Sequence, residues 1–237
     1  MRADVGRRLL AEFLGTGLLV AVVVGSGIAA QQLSPHDVGL QLLENSMATV
    51  FGLAALILVF GPVSGAHFNP VVTLADWALG PDRHAGGLPG VAAYLVAQVA
   101  GAIGGAILAN VMFGVDTSLS GKDRDSGGHL VAEVVATAVL LLLIFSLVRT
   151  GRDAWVAPAV GAYIGAAYWF TSSTSFANPA VTVGRIFSDT FAGIAPASAP
   201  AFIAMQLVGL AVGVLLVVVL YPVAAPVVPT APGPVED

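Results

Sequence analysis

Ser64-Gly-Ala-His67-Phe-Asn69-Pro70-Val71 in the first half of the chain has a counterpart in the second half, Ser175-Phe-Ala-Asn178-Pro179-Ala180-Val181. In both, an Asn-Pro pair opens a short apolar segment, 69–79 and 178–187. Asn favours the N-cap of a helix and Pro its first turn, so each pair predicts a helix start. A helix of about ten residues extends about 15 Å, half of a hydrocarbon core of about 30 Å. We therefore expect two half-helices.

The composition around these segments is that of an integral membrane protein. Of the 237 residues, 57% are hydrophobic and 10% are charged, whereas soluble domains carry about 25% charged residues. The sequence predicts an all-α membrane protein with six transmembrane helices and two re-entrant half-helices. The six predicted spans are roughly 9–30, 42–61, 89–113, 130–149, 155–173 and 198–221.

The same composition argues against several functional classes. The absence of Cys excludes disulfides, thiolate metal sites and cysteine nucleophiles. The nine Lys and Arg residues never form a run, so nucleic-acid binding has no support. No phosphate-binding loop or nucleophile elbow occurs, and His36, His84 and His129 are scattered without metal-ligand spacing. We expect no enzyme activity, no cofactor, no metal site and no nucleic-acid partner.

An internal repeat connects the two Asn-Pro segments. Ala11-Glu12-Phe-Leu-Gly-Thr16 recurs as Ala132-Glu133-Val-Val-Ala-Thr137, and Gln98-Val-Ala-Gly101 recurs as Gln206-Leu-Val-Gly209. Each half contains three crossings, so the second half must be inverted relative to the first. We expect a first repeat at 1–115, a second repeat at 116–221 and a disordered Pro-rich cytoplasmic tail at 222–237. The half-helices then enter from opposite faces and meet at the midplane, which points to a permeation or binding site.

The Asn residues suit such a site. An Asn that caps a helix with its carbonyl oxygen keeps its amide NH2 for other partners. Asn69 and Asn178 would therefore offer two donors to a passing polar solute. The two positive helix ends would repel cations at the same point.

The quoted segments resemble the paired signature loops of the aquaporins and aquaglyceroporins, and the likeness covers about residues 8–221. The resemblance implies a homotetramer of hourglass-shaped subunits that pass water or small neutral solutes across the lipid bilayer without energy input. It implies that Glu12 and Glu133 support the loops by accepting backbone hydrogen bonds. His67 is expected to support its loop or to line the pore mouth. The implied pore motifs are Asn69, Pro70 and Val71, with Asn178, Pro179 and Ala180.

Two positions depart from the family pattern. Val71 stands where the family usually has Ala, and Val181 stands where its orthodox members have Arg. Counting from the two Asn residues, the selectivity filter is predicted at Thr49, Ala166 (or Gly165), Ser175 and Val181, none of them aromatic or charged. A bacterial branch associated with arsenic resistance is similar, with Val at the arginine position. We expect a wide filter that passes glycerol or arsenite-like hydroxides, and water.

Two alternative roles are open for one charged residue, Arg185. Arg185 lies one helical turn beyond Val181, where it would either line the outer vestibule or complement the helix C-terminus at the interface.

The positive-inside rule predicts a multi-pass protein of the plasma (inner) membrane with both termini in the cytoplasm. Its basis is that Arg2, Arg7, Arg8, Arg83, Arg149 and Arg152 share one side, against Lys122, Arg124 and Arg185.

Three other functional classes are alternatives to a channel for glycerol or arsenite. A water-selective channel would differ from it only in the residues of the selectivity filter. An ion- or proton-coupled secondary transporter would place titratable groups at the central site, where the candidates are Glu12, Glu133 and Glu44. A non-conducting scaffold would need long outer loops, and these are short. The symmetric structural explanation for the two repeated glutamates favours the channel.

Overall fold

The computed structural model describes residues 4–79 and 84–222, and all regular structure in this part of the chain is helical. The predicted fold class is confirmed. A 3-10 turn at Asp153–Trp155 leads into the sixth helix, and another at Arg185–Phe187 continues the seventh. The helices are α1 (Val5–Leu33), α2 (Val38–Ser64), α3 (Pro70–Leu79), α4 (Leu88–Phe113), α5 (Gly127–Arg149), α6 (Val156–Phe170), α7 (Pro179–Gly184) and α8 (Ala199–Leu220).

Five helices, α1, α2, α4, α5 and α8, are long and apolar enough to cross a membrane. Several begin before the predicted spans because side chains in the polar flanks cap them: Asp4, Asp37 and Ser126 each accept a backbone N–H of the first turn. α6 is shorter than predicted, at 15 residues. It ends at Phe170 because the polar run Thr171-Ser-Ser-Thr174 follows, in which Thr171 Oγ1 donates to the Ala167 carbonyl.

The half-helices begin at their prolines. α3 covers ten residues from Pro70, and α7 covers six from Pro179, with Asn178 as its N-cap. The second half-helix was predicted to run to residue 187; its last turn is instead the tighter 3-10 turn, a common ending for a helix. Arg2, Arg83 and the predicted tail from residue 223 onward lie outside the described residues.

The helices pack in the same pattern in both halves. α1 contacts α2 and α4, while α5 contacts α6 and α8. Each half-helix packs against the other half: α3 against α8 and α5, and α7 against α4 and α1. α2 meets α6, and α3 meets α7, across the centre. Exchanging the halves leaves this set of contacts unchanged, as expected for two copies of one unit. The repeat boundaries at 115 and 221 stay a prediction.

Glycines set the distance between the paired long helices. A Cβ on Gly105 of α4 would lie 2.0 Å from the carbonyl oxygen of Gly17 on α1, and a Cβ on Gly101 would lie 2.2 Å from that of Phe13. Between α5 and α8, Gly209 takes the place of Gly101, with the Val134 oxygen 2.8 Å away. Inside a membrane, helices associate through such close backbone approach instead of a hydrophobic driving force. The repeated Gln-x-x-Gly motif thus contributes one packing glycine to each half.

Gly105→Ala should lower the stability of the folded chain by about 2 kcal/mol, the usual cost of forcing atoms into a packed interior. The added methyl meets backbone, which cannot rotate away, so α1 and α4 must separate. Thermal unfolding of the purified protein in detergent measures the effect. Gly104→Ala is the matched control, because a Cβ there meets nothing within 4 Å. Equal unfolding temperatures for the two variants would contradict the role of Gly105.

Candidate functional site

The two Asn-Pro loops are hydrogen-bonded to each other. Asn69 Nδ2 donates to the Ala177 carbonyl at 2.8 Å, and Asn178 Nδ2 donates to the Phe68 carbonyl at 2.8 Å. Each Asn Oδ1 accepts the backbone N–H two residues on, at 3.0 Å. The expectation of a wholly free NH2 is therefore wrong: one amide hydrogen joins the loops, and the other remains for a solute.

The loop backbones share an unusual conformation. Ala66 and Phe68 have φ of 50°, and their counterparts Ser175 and Ala177 have φ of 51° and 47°. Non-glycine residues rarely occupy the left-handed region, and each costs of the order of 1–3 kcal/mol. Both loops must therefore be held from outside.

Two buried carboxylates hold these loops. Glu12 accepts the backbone N–H of His67 at 3.0 Å and that of Phe68 at 2.8 Å. Glu133 accepts those of Phe176 and Ala177, both at 2.9 Å. Neither glutamate exposes any surface. Each carboxylate thus satisfies two consecutive N–H groups of a strained loop.

The glutamines of the repeat complete the support. Gln98 Nε2 donates to Glu12 at 2.7 Å and to Thr73 Oγ1 at 2.9 Å. Gln206 Nε2 donates to Glu133 at 2.6 Å and to Thr182 Oγ1 at 2.9 Å. Glutamate, glutamine and threonine therefore form one network in each half, and the network ties the half-helix to the long helices. The sequence marked the glutamines as repeated without indicating what they bind.

A cavity of about 520 Å³ runs past both Asn residues. We call one end the histidine mouth, lined by His67, Asp76 and His84, and the other the arginine mouth, lined by Tyr168, Ser175 and Arg185. Much of the wall between them is aliphatic, including Leu19, Val23, Leu53, Leu140, Ile144, Val160 and Ile164. Such a wall with a few polar groups is typical of a site for small solutes.

The other motif residues lie behind this lining. Pro70, Val71, Pro179 and Ala180 are buried in the first turns of the half-helices, outside the cavity lining. The extra bulk of Val71 relative to Ala is therefore taken up by helix packing and does not narrow the passage.

At the arginine mouth, three of the four predicted filter residues line the cavity: Thr49, Ser175 and Val181. Ala166 does not; it is exposed on the outer face of α6, and Gly165 packs against Val50. This prediction is wrong because it counted back from Asn178 through a loop of unknown length. An error of two residues along a helix changes the direction of the side chain around the helix axis by about 200°, so it places the side chain on nearly the opposite face.

Tyr168 takes the position instead. It follows Val160 and Ile164 at intervals of four, and all three line the cavity. The Thr49 hydroxyl donates to the Asn45 carbonyl at 2.9 Å, so the Tyr168 hydroxyl, 3.1 Å away, donates to Thr49. The cavity lining at the predicted filter position therefore contains an aromatic residue, contrary to the prediction. The i, i+4 spacing was the signal that could have identified it.

Arg185 is buried, with only 2% of its surface exposed, and it lines the arginine mouth. Its Nε donates to the Ala192 carbonyl, and its guanidinium lies over the Phe176 ring, 3.4 Å from the centroid. The protein therefore encloses this side chain. Arg124 approaches the same ring at 5.0 Å and donates to the Gly193 carbonyl at 2.9 Å. Neither Phe176 nor Arg124 was predicted to be part of this site.

A third cation lies in the same loop region. Lys122 Nζ donates to the Phe191 carbonyl at 2.8 Å. Burial, together with the charges of Arg124 and Arg185, lowers the pKa of Lys122 to about 8. Burial also lowers the pKa of Arg124 to about 10, with the Glu133 charge opposing the shift. Three basic side chains, Lys122, Arg124 and Arg185, therefore lie close together in this region, and of these Arg185 lines the cavity.

Known proteins are similar to this chain in sequence and in fold. A family model described as major intrinsic protein matches residues 1–172. The aquaglyceroporin AqpS of Rhizobium meliloti (strain 1021) is 47% identical over 209 residues, which cover 87% of this chain and 86% of that protein. The propanediol uptake facilitator PduF of Citrobacter freundii is 36% identical over 116 residues, 48% of this chain and 40% of that protein.

A solved structure agrees at the level of the fold. The X-ray structure of the aquaglyceroporin from Plasmodium falciparum matches with a TM-score of 0.64 at 22% identity, and the match covers 90% of this chain and 96% of that one. The family model and AqpS carry the assignment, since each spans well over half of the sequence. The chain belongs to the major intrinsic protein family and is a passive membrane channel, not an enzyme.

Proposed function

We propose that this channel passes small neutral polyols of glycerol size and compact hydroxides such as arsenite, As(OH)3, together with water. The observation that carries the proposal is the uncharged ring of Thr49, Tyr168, Ser175 and Val181 beside the Asn pair. In this ring, Val181 occupies the place of the family's usual arginine. The names of AqpS and PduF, an aquaglyceroporin and a propanediol uptake facilitator, support the same class of solute.

The ring fits a solute with several hydroxyl groups. Ser175 Oγ is buried and has no hydrogen-bond partner among the described residues, so it is available to a solute. The Tyr168 oxygen keeps its acceptor capacity after donating to Thr49. Val181 and Ile164 offer apolar contacts to a carbon edge or an arsenic atom. A triol such as glycerol or arsenite can exchange its water hydrogen bonds for these groups.

Cations are excluded by fixed positive charge. The N-termini of α3 and α7 meet at the Asn pair, and each carries about half an elementary charge. The charge of Arg185 lies at the arginine mouth, and those of Arg124 and Lys122 lie in the loops beside it. In this proposal Arg185, displaced by one turn, supplies the electrostatic barrier without occupying the narrowest point.

Arg185→Met should raise cation and proton leakage by at least about fivefold. One charge a few ångströms from the path changes the free energy of a passing cation by about 1 to 4 kcal/mol. Methionine keeps part of the stacking on Phe176, so glycerol flux should change less than leakage. Proton flux in liposomes with an enclosed pH dye measures the effect, and Arg152→Met is the control because Arg152 is exposed. Leakage equal to that of the unmodified protein would remove Arg185 from the barrier.

The two alternative functions, a coupled transporter and a water-selective channel, require different residues along the cavity. The glutamates considered for a coupled transporter do not line the path: Glu12 and Glu133 lie behind the cavity wall with their oxygens engaged by loop donors. Glu44 accepts from Ser34 at 2.8 Å and also lies outside the cavity lining. A water-selective channel is favoured by one observation, the bulk of Tyr168 in the ring.

Liposome swelling with water, glycerol and arsenite distinguishes these functions. We expect all three to pass at rates set by the solute gradient alone, and a protonophore should leave the rates unchanged. Flux of water without glycerol or arsenite would favour the water-selective alternative. Accumulation of solute against its gradient, abolished by the protonophore, would favour the transporter.

We also propose a location and an assembly for the channel. It lies in the plasma (inner) membrane with both termini in the cytoplasm, and it forms a homotetramer. Lys122, Arg124 and Arg185 are grouped in the region of the arginine mouth, whereas Arg8 donates to the His84 carbonyl at the histidine mouth. This separation supports the topology that the positive-inside rule predicts. The histidine mouth is therefore the cytoplasmic one. The tetramer rests on the family resemblance.

A further inference from the structure

Three side chains that the sequence separates converge at the histidine mouth. His67 Nε2 lies 3.8 Å from Asp76 Oδ2, and His84 Nδ1 lies 3.3 Å from Asp76 Oδ1. One ligand atom from each of the three lies within 4.8 Å of the others. The expectation that His84 is isolated is therefore wrong: its ring meets that of His67 edge to face at 5.5 Å.

Hydrogen bonding fixes the tautomer of His67. Its Nδ1 lies 3.1 Å from Thr73 Oγ1, which gives its own proton to the Asn69 carbonyl at 3.1 Å. The equivalent hydroxyl in the other half, Thr182, also donates to its asparagine carbonyl, at 2.9 Å. Nδ1 therefore carries the proton of a neutral His67, and Nε2 directs a lone pair towards Asp76. Histidines that bind metals are oriented in this way, by donating the other ring N–H to a fixed acceptor.

The surroundings of Asp76 favour a cation. Asp76 is buried, with 6% of its surface exposed, and it lies near the C-terminal, negative end of α3. No basic residue occupies the last turn of this helix. Asp76 Oδ2 accepts the backbone N–H of His84 at 2.7 Å, and no proton lies between this oxygen and the unprotonated Nε2 of His67. A metal ion would satisfy both.

The distances suit a small tetrahedral ion after modest closure. Bonds of about 2.0–2.1 Å to nitrogen and oxygen require ligand atoms about 3.3 Å apart. The Asp76–His84 pair already has this spacing through Oδ1, the His67–Asp76 pair exceeds it slightly through Oδ2, and one ligand atom from each residue lies within 4.8 Å of the others. The His84 side chain is 44% exposed and precedes α4 in a loop, so it can supply the adjustment.

We propose that His67, Asp76 and His84 form a binding site for a divalent transition-metal ion of the zinc type, with water in the fourth position. Two imidazoles and one carboxylate select such ions over Mg²⁺ and Ca²⁺, which prefer all-oxygen sites. All three residues line the cavity, so the bound ion stands in the histidine mouth and obstructs it. The obstruction rests on the proposed channel function; the binding does not.

Equilibrium dialysis of the untagged, purified full-length chain against Zn²⁺ tests the binding. We expect one ion per chain, unaffected by excess Mg²⁺. His84→Ala and Asp76→Asn should each weaken binding by at least about tenfold, as loss of a ligand does. His36→Ala is the matched control, since His36 is exposed in the loop between α1 and α2. Unchanged Zn²⁺ affinity in both cluster variants would overturn the site, and it would do so whether or not the protein conducts.

Glycerol swelling of liposomes tests the obstruction, with each variant's rate in Zn²⁺ divided by its own rate without the ion. The unmodified protein and His36→Ala should slow at least about fivefold at saturating Zn²⁺, whereas the ratio for His84→Ala should stay near one. Zn²⁺ applied on the side of the histidine mouth should act first. A protein that binds one ion and conducts at the same rate would overturn the obstruction.

Discussion

Val181→Arg should reduce the flux of glycerol and arsenite by at least about tenfold while water continues to pass. Val181 lines the cavity together with Thr49, Tyr168 and Ser175, next to the capped start of α7. An arginine there would extend a long side chain into the ring and bring a second guanidinium within a turn of Arg185. Water needs less width than a triol and tolerates a charged donor. Stopped-flow swelling of liposomes with each solute measures the ratio.

Val181→Leu separates bulk from charge in this experiment. Leucine adds one methylene without a donor, so glycerol flux should fall only modestly and proton leakage should stay unchanged. Val181→Arg, in contrast, should also lower proton leakage, because it adds positive charge at the narrowing. A correctly folded Val181→Arg protein that passes glycerol at the original rate would show that the solute path does not run through this ring.

The parts of the site that the sequence predicted are those governed by local chemistry. An Asn-Pro pair specifies a capped helix start through its own side chain, and so both half-helices begin where expected. The repeated glutamates, glutamines and glycines were found because each appears twice at matching places. Their roles in holding loops and spacing helices then follow from a few hydrogen bonds and close contacts in each half.

The parts that the sequence did not predict depend on contacts between distant segments. Tyr168 enters the ring because of the rotational phase of α6, which the length of the following loop does not reveal. The stack of Arg124, Phe176 and Arg185 joins a loop after α4 to the end of α7. The metal-ligand set joins a loop, a half-helix and a second loop, with no recognisable spacing along the chain. Only the folded chain brings these groups together.

Glu133 supplies the carboxylate that lies behind the second loop. Glu133→Ala should abolish measurable flux of every solute and lower the unfolding temperature. The substitution leaves the backbone N–H groups of Phe176 and Ala177 buried without their acceptor, and Gln206 Nε2 keeps only Thr182 of its two acceptors. Each unsatisfied group costs about 1–3 kcal/mol, and the loop is already strained at Ser175 and Ala177. The Ala177 carbonyl would then no longer be held in place for Asn69.

Glu133→Gln distinguishes this structural role from proton coupling. A carboxylate that couples transport to protons, replaced by glutamine, should leave a folded protein whose flux no longer depends on the proton gradient. In this structure, both carboxylate oxygens accept loop N–H groups, so an NH2 in place of one oxygen faces a donor it cannot bond. We therefore expect Glu133→Gln to lose stability and flux together, while Glu44→Gln, which touches neither loop, retains both. A stable Glu133→Gln protein with full but gradient-independent flux would contradict the structural role and revive the coupled transporter.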